Sequence, residues 1–204
     1  VRIALITEGT YPFVHGGVSV WCDHLIRRLP EVEFRVYAIA ASADLRSAWA
    51  LPPNVLSVEV IGLEPGPGRR FGRASRADRT RFLESLDYFL QEMLGPDGTH
   101  GFLDALRVLR RSARAVPLDI ALQSPEAFDV LRSRWRGRDI PVELDRFGAP
   151  SLENILEVSS SLARFLRPLQ VVPDGDVAHT TANGLGALIA LAGQVERGVP
   201  MLLT

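Results

Sequence analysis

The stretch Glu8-Gly9-Thr10-Tyr11-Pro12-Phe13-Val14-His15-Gly16-Gly17-Val18-Ser19-Val20-Trp21 decides how this chain is read. Arg2 to Thr7 (R-I-A-L-I-T) precedes it, short and apolar, and reads as a buried strand ended by Glu8-Gly9. Gly17 to Leu29 follows as a helix, with Val18, Trp21, Cys22, Leu25, Ile26 and Leu29 at helical spacing and Pro30 after its end. Gly16 and Gly17 therefore stand at a strand-to-helix turn. A helix N-terminus exposes unpaired N–H groups and carries positive partial charge, and glycine lets a ligand approach the backbone, so the junction permits a phosphate. A plain glycine turn that lets helix and strand pack accounts for the same pair. The motif is neither G-x-G-x-x-G nor one with G-K-S/T, which sets aside the dinucleotide and P-loop fingerprints.

Working outward, Phe34 to Ala41 reads as a second strand and Val55 to Ile61 as a third. Strand, helix, strand, strand is the first half of a doubly wound α/β domain, Rossmann-like, with a mostly parallel sheet. Gly62-Leu63-Glu64-Pro65-Gly66-Pro67-Gly68 is a loop by composition. Phe82, Leu86, Phe89, Leu90 and Met93 then mark a helix face from Ala77 to Leu94, broken by Gly95-Pro96-Asp97-Gly98. Phe102, Leu103, Leu106 and Leu109 open another helix. Ser124-Pro125-Glu126 has the form of an N-cap with Pro at the first helical position, for a helix to Trp135. Ser151 to Arg167 is a further helix, with Leu152, Ile155, Leu156, Ser159, Leu162 and Leu166 on one side. The block 77–168 is too long for one crossover, so it reads as a helical insertion within a domain covering 1–204. The α/β rhythm resumes with the strand Asp176 to Thr180, a helix opened by Gly184-Leu185-Gly186, and a last strand from Met201 to Thr204.

Of 204 residues, 47% are hydrophobic, enough for one sizeable core. The net charge of −1 supplies no field for nucleic acid or an anionic membrane. All 23 basic residues are arginine. Arg69, Arg70, Arg73, Arg76, Arg79 and Arg81 form a basic run, read as a solvated loop and helix face, with an anion-binding patch as the other option. The single cysteine, Cys22, permits no internal disulfide, fits a reducing compartment, and reads as a small core hydrophobe. No apolar run reaches the length of a membrane span. The chain starts at Val1 and stops within a strand that has just begun, and it reads as a fragment of a longer one.

The stretch from Glu8 to Trp21 resembles the opening of the Pel-type exopolysaccharide glycosyltransferases, members of family 4 with the GT-B fold. The resemblance continues in Asp176-Val177-Ala178-His179-Thr180, in Asn183-Gly184-Leu185-Gly186 and in Gly198-Val199-Pro200-Met201-Leu202-Leu203-Thr204, where the family goes on to Glu-His-Gly. It implies two Rossmann-like domains facing a cleft, the N-terminal one holding mostly the acceptor. The C-terminal one, beyond Thr204, would hold the nucleotide sugar with a pair of glutamates. On that resemblance Gly16 and Gly17 approach the donor diphosphate and stabilise charge on the leaving nucleoside diphosphate. The implied reaction is retaining sugar transfer in exopolysaccharide synthesis, from a donor such as UDP-glucose, with no cofactor and no essential metal. The implied setting is cytoplasmic, possible partners including a membrane polysaccharide-synthase complex. The 204-residue fragment alone is expected to be inactive and to bind nucleotide sugar weakly or not at all.

His179 stands at the carboxyl end of a strand, where open α/β sheets place ligands; the resemblance puts it near the cleft as the catalytic candidate, in reach of sugar or phosphate, and a histidine satisfied by local backbone is the equal alternative. Thr180, Thr181 and Asn183 are candidates to read sugar hydroxyls or to cap the next helix. His15 is a candidate phosphate contact or an idle loop residue. Glu8 and Tyr11 belong to the motif and, with His15, Thr180 and Asn183, are candidates to bind the acceptor or a sugar; the Glu8 carboxylate either orients the loop or accepts a bond from an acceptor hydroxyl. Trp21 reads as core. Asp23 and His24 point differently on their helix and make a poor acid–base pair. No cluster has metal-ligand spacing, and no nucleophile elbow or triad is present. Two other classes remain: a stand-alone α/β module docking a partner protein through 77–168, and a nucleotide-dependent oxidoreductase domain, which the missing G-x-G-x-x-G counts against.

Overall fold

A computed structural model describes residues 1–42, 45–64, 74–95, 101–135 and 148–204. In chain order the elements are β1 Arg2–Glu8, α1 Gly17–Arg28, β2 Glu33–Ala40, β3 Val55–Gly62, α2 Arg76–Leu94, α3 Phe102–Ala113, α4 Leu118–Leu122, α5 Pro125–Trp135, α6 Leu152–Leu166, a 3-10 turn Pro168–Gln170, β4 Val177–Thr180, α7 Leu185–Arg197 and β5 Met201–Leu203. They fall into two compact units, Val1–Arg69 with Arg167–Thr204, and Arg70–Leu166.

The first unit is α/β. Its sheet has the order β3-β2-β1-β4-β5 and every pairing is parallel, the Rossmann-like arrangement that the strand rhythm predicts. β1 lies in the middle, and Ala4, Leu5 and Ile6 are all 0% exposed. A strand buried on both faces needs a continuous apolar run, which is why R-I-A-L-I-T does not alternate.

Register assigns the faces. Leu5 pairs with Val36 and His179, and Ile6 with Tyr37 and Thr180. Leu5 packs with Cys22 and Ile26 of α1 and with Phe34, Val36 and Ala38. Ile6 packs on the opposite face with Ile189 and Ala190 of α7 and with Tyr37, Ile39 and Ala178. Side chains alternate along a strand. Glu8 therefore shares the α7 face with Ile6, and His179 shares the α1 face with Leu5. β5 is an edge strand whose Met201, Leu202 and Leu203 are 42%, 49% and 48% exposed.

Helix α1 departs from the periodic reading. Its buried residues are Ser19, Cys22, Asp23 and Ile26. Val18 and Trp21, read as core, are 41% and 37% exposed. The buried line is rotated because two polar residues take places on it. Asp23 is held there by Arg27, whose Nε donates to Oδ2 at 2.7 Å. The far end of α1 is tied by Asn54, whose side-chain amide donates to the carbonyls of Ile26 and Leu29 at 3.0 Å and of Val32 at 3.1 Å. The Ile26 and Leu29 carbonyls also accept from the Leu29 and Val32 amides at 3.3 and 3.0 Å, so Asn54 adds a second donor to each at the end of α1.

The second unit is helical, built from α2 to α6. Phe82, Leu86, Phe89 and Leu90 are buried as their spacing predicts, and Phe89 meets Phe102 and Phe165 at centroid distances of 5.7 and 6.3 Å. Ser75 caps α2 by accepting from the Asp78 amide at 3.1 Å. Ser124 accepts from the Ala127 amide at 3.2 Å, the cap expected ahead of Pro125. The five-residue helix α4 is too short for periodicity to reveal, and Ser159 of α6 donates to its Leu122 carbonyl at 2.5 Å. Met93, Leu103, Leu152 and Leu156, read as core-facing, are 43%, 48%, 60% and 43% exposed. Arg76, Arg79 and Arg81 are exposed on α2, as a solvated face requires. Arg69, Arg70 and Arg73, the loop 65–68 and the breaker Pro96-Asp97-Gly98 lie outside the described residues.

Among the described residues no helix is long and apolar enough to cross a membrane.

Candidate functional site

Strand order reverses direction between β1 and β4, since the chain builds β2 and β3 on one side of β1 and β4 and β5 on the other. In open α/β sheets the crevice outside the carboxyl ends at such a switch point is the ligand site. The loop after β1, residues 9–16, and the loop after β4, residues 181–184, both lie at these carboxyl ends. Seven of the predicted site residues fall in or beside these loops: Glu8, Tyr11, His15, Gly16, Gly17, Thr180 and Asn183.

The first loop is firmly held. Gly9 turns the chain with a φ of 62°, and its amide donates to the Ile39 carbonyl at 2.8 Å. The Thr7 hydroxyl donates to the Tyr11 carbonyl at 2.7 Å. From the far side, the Ala48 amide and Ser47 hydroxyl reach the Pro12 carbonyl at 2.9 and 3.3 Å, and the Trp49 indole N–H reaches the Val14 carbonyl at 3.4 Å. The Trp49 ring lies 6.1 Å from Tyr11 and 4.7 Å from His15. Nothing in the sequence pattern announces this 47–49 strap, because its bonds come from backbone groups and an isolated Ser and Trp.

Tyr11 is placed differently from its expected role. Its side chain is 0% exposed and packs into the α1-side core, so it supports the loop from below and shows no surface to a sugar. Burial, and then the neighbouring Asp23 carboxylate, push its hydroxyl up to about 12. Burial also pushes the Cys22 thiol up to about 12, in keeping with a core role.

The glycine pair is open. Gly16 caps α1 in an extended conformation (φ −179°), which any residue adopts. A Cβ built at Gly16 or at Gly17 meets nothing within 4 Å. Neither backbone conformation nor packing demands glycine at these two positions. The first turn of α1 carries no acidic residue, and its cap has no side-chain hydrogen bond. Its N–H groups and partial positive charge are thus uncompensated by any side chain there.

The start of α7 is the opposite case. Glu8 Oε1 accepts from the Gly186 amide at 2.5 Å. A Cβ at Gly184 would stand 2.7 Å from Glu8 Oε2, and one at Gly186 would stand 2.8 Å from Thr180 Oγ1 and 3.1 Å from Glu8 Oε1. At Gly186 a Cβ is crowded by the short, bonded Thr180 side chain and by Ile6, at Gly184 only by the end of the Glu8 side chain, and a carboxylate already fills the helix terminus. Glu8 thus holds the first turn of α7, next to the loop after β4. Thr180 is 0% exposed and spends its hydroxyl on the Ala182 carbonyl at 2.8 Å, while the Thr181 amide donates to the Ile6 carbonyl at 3.1 Å. Asn183 is exposed.

His179 is 5% exposed on the α1 face. Its Nε2 shares a 2.7 Å hydrogen bond with the Thr204 hydroxyl, and Trp21 meets its ring edge-on at 5.5 Å. Burial lowers its pKa below the ordinary histidine value, so the ring is neutral near pH 7. Among the described residues no group of three His, Cys, Asp or Glu side chains is placed to hold a metal ion.

A family model described as "Domain of unknown function (DUF3492)" matches residues 1–204, the whole chain. No curated protein and no solved structure matches it.

Proposed function

The chain belongs to the DUF3492 family, and from that premise we propose that it is the acceptor-side domain of a retaining glycosyltransferase of the GT-B kind. The observation that carries this reading is the open glycine pair. Gly16 and Gly17 sit at an uncapped helix N-terminus beside the switch point, and neither their conformation nor any packed neighbour calls for glycine. Close approach by a ligand outside the chain is the remaining physical use of a missing Cβ. An anionic diphosphate is the ligand that a helix N-terminus favours. The resemblance of the Glu8–Trp21 stretch to Pel-type enzymes of family 4 supports the same assignment.

In this reading the first-turn amides of α1 receive the donor's diphosphate and stabilise the charge that grows on it as the glycosidic bond breaks. Such stabilisation is effective because the donors are fixed beforehand, and the 47–49 strap on the Pro12 and Val14 carbonyls supplies the fixing. His15 and Asn183, both exposed at the crevice, are the side chains available to phosphate and sugar hydroxyls. His179, neutral and bonded to Thr204, offers a polar wall on the α1 face and not a charge. A second, donor-holding domain completes the site, with UDP-glucose as a candidate donor and an exopolysaccharide as a candidate acceptor.

The test is sugar transfer by the natural gene product with radiolabelled UDP-glucose, comparing wild type with Gly17→Val. A Cβ at position 17 meets nothing within 4 Å, and circular dichroism checks that the variant folds. Transfer should fall about 10²- to 10³-fold, the usual cost of losing one oxyanion-stabilising contact, because the valine side chain holds the diphosphate away from amides that stay in place. Equal activity in the two proteins would refute the phosphate role of the pair. No transfer from any common nucleotide sugar would refute the enzyme reading.

A further inference from the structure

Two helices, α1 and α7, begin at the crevice, each with amides and a partial positive charge turned to the same end of the sheet. They are not equivalent. The α7 terminus is filled from within by Glu8, whose Oε1 lies 2.5 Å from the Gly186 amide. That seat is built to shape. The alternation of β1 turns Glu8 to the α7 face, and Gly184 and Gly186 leave room for it: any Cβ there would lie within 2.7 to 3.1 Å of a carboxylate oxygen. The α1 terminus has no acidic residue in its first turn and no side-chain cap.

We propose that Glu8 is a specificity-determining residue, an internal anion that occupies the α7 terminus and so confines a phosphate-bearing ligand to the α1 side of the crevice. The inference rests on the reading of the crevice as a diphosphate site. Its physical content is simple. A terminus that already holds a carboxylate has given up the Gly186 amide and has its partial charge offset, and the carboxylate repels a second anion at contact distance. What the β4 side then presents to a ligand is neutral, namely Asn183 and the hydroxyl and carbonyl groups of its loop. The crevice is thereby polarised, with phosphate on one side and an uncharged polyol on the other. A sugar nucleotide or phosphosugar enters such a crevice in one orientation.

The experiment is amide NMR on the 204-residue chain, titrated with inorganic pyrophosphate at constant ionic strength. It compares wild type, Glu8→Gln, which keeps an acceptor oxygen for Gly186 and loses the charge, and Glu8→Asp, which keeps the charge. In wild type and Glu8→Asp, the amides of Leu185, Gly186 and Ala187 should not respond. In Glu8→Gln they should shift saturably with pyrophosphate. A purely structural Glu8 would produce no new anion response. The proposal is overturned if these amides respond in wild type, or if Glu8→Gln folds and gains nothing. If Glu8→Gln fails to fold, Glu8→Ala, which removes the carboxylate and leaves the Gly186 amide open, is titrated in its place, and the same two outcomes decide. The amides of Gly17, Val18 and Ser19 report separately on the diphosphate reading. Were they silent in all three proteins while Glu8→Gln gained a response at α7, Glu8 would still be what keeps anions from α7, but its confining a phosphate to α1 would be overturned together with the diphosphate reading.

Discussion

Two glycine-to-alanine substitutions, Gly17→Ala and Gly186→Ala, should act in opposite directions, and the structure gives the size of each. Both positions lie in the first turn of a helix, so the propensity gain from alanine is similar, at most about 1 kcal/mol. At Gly17 the new methyl meets nothing within 4 Å, so only the gain remains. The variant should be neutral or more stable by up to about 1 kcal/mol. At Gly186 the methyl would stand 2.8 Å from Thr180 Oγ1 and 3.1 Å from both Glu8 Oε1 and Ile6 Cγ2. None of these three can step aside freely. Thr180 is bonded to Ala182, Glu8 to the Gly186 amide itself, and Ile6 is 0% exposed in the central strand. Overpacking of this kind costs about 1–3 kcal/mol, so after a full propensity gain the net loss should be about 0–2 kcal/mol. For a chain of this size that is a fall in Tm of up to roughly 8 °C. Thermal denaturation followed by circular dichroism reads both variants, with urea titration to check that the m-value is unchanged. If Gly17→Ala proved as damaging as Gly186→Ala, the distinction between an open and a packed glycine would be wrong, and with it the argument for a ligand at α1.

Asn54→Ala removes an amide shared by three carbonyls at the end of α1. It should cost about 1–3 kcal/mol, and urea unfolding with an unchanged midpoint would show that water replaces the amide without loss. His179 supplies a pH dependence. Burial lowers its folded pKa below 6.5, so between those two values the unfolded chain binds the extra proton and stability falls as pH drops. The contribution is fully present above pH 6.5 and is lost toward the folded pKa. His179→Gln should flatten the fall in unfolding midpoint below pH 6.5, and coincident pH profiles for the two proteins would refute the buried neutral ring.

Much of the fold was legible from residue order. β1 and α1 announced themselves because one is a short run buried on both faces and the other is bracketed by Gly17 and Pro30. The second strand, the third strand and the caps at Pro125 and Gly184 followed from equally local chemistry. Periodicity failed where a polar side chain is buried by a partner distant in space or on the next turn. Asp23 with Arg27 shifted the buried line of α1, and Trp21 was left on the surface against His179. The short helix α4 was lost because five residues carry too little pattern.

The candidate site divides the same way. Sequence alone determined that Gly16 and Gly17 stand at a strand-to-helix junction, and that Glu8 and His179 end strands, since these are statements about neighbours along the chain. Only the tertiary structure decided what each is for. Parallel pairing of β1 with β4 brings residue 8 to residue 186, and the pleat chooses the face, which turns Glu8 into the occupant of one helix terminus and leaves the other free. Tyr11 went to the core, and Trp49 came to the loop from the other side of β2, for the same physical reason. Alternation and parallel register fix which side chains meet, and neither can be read from a single strand before its partners are known.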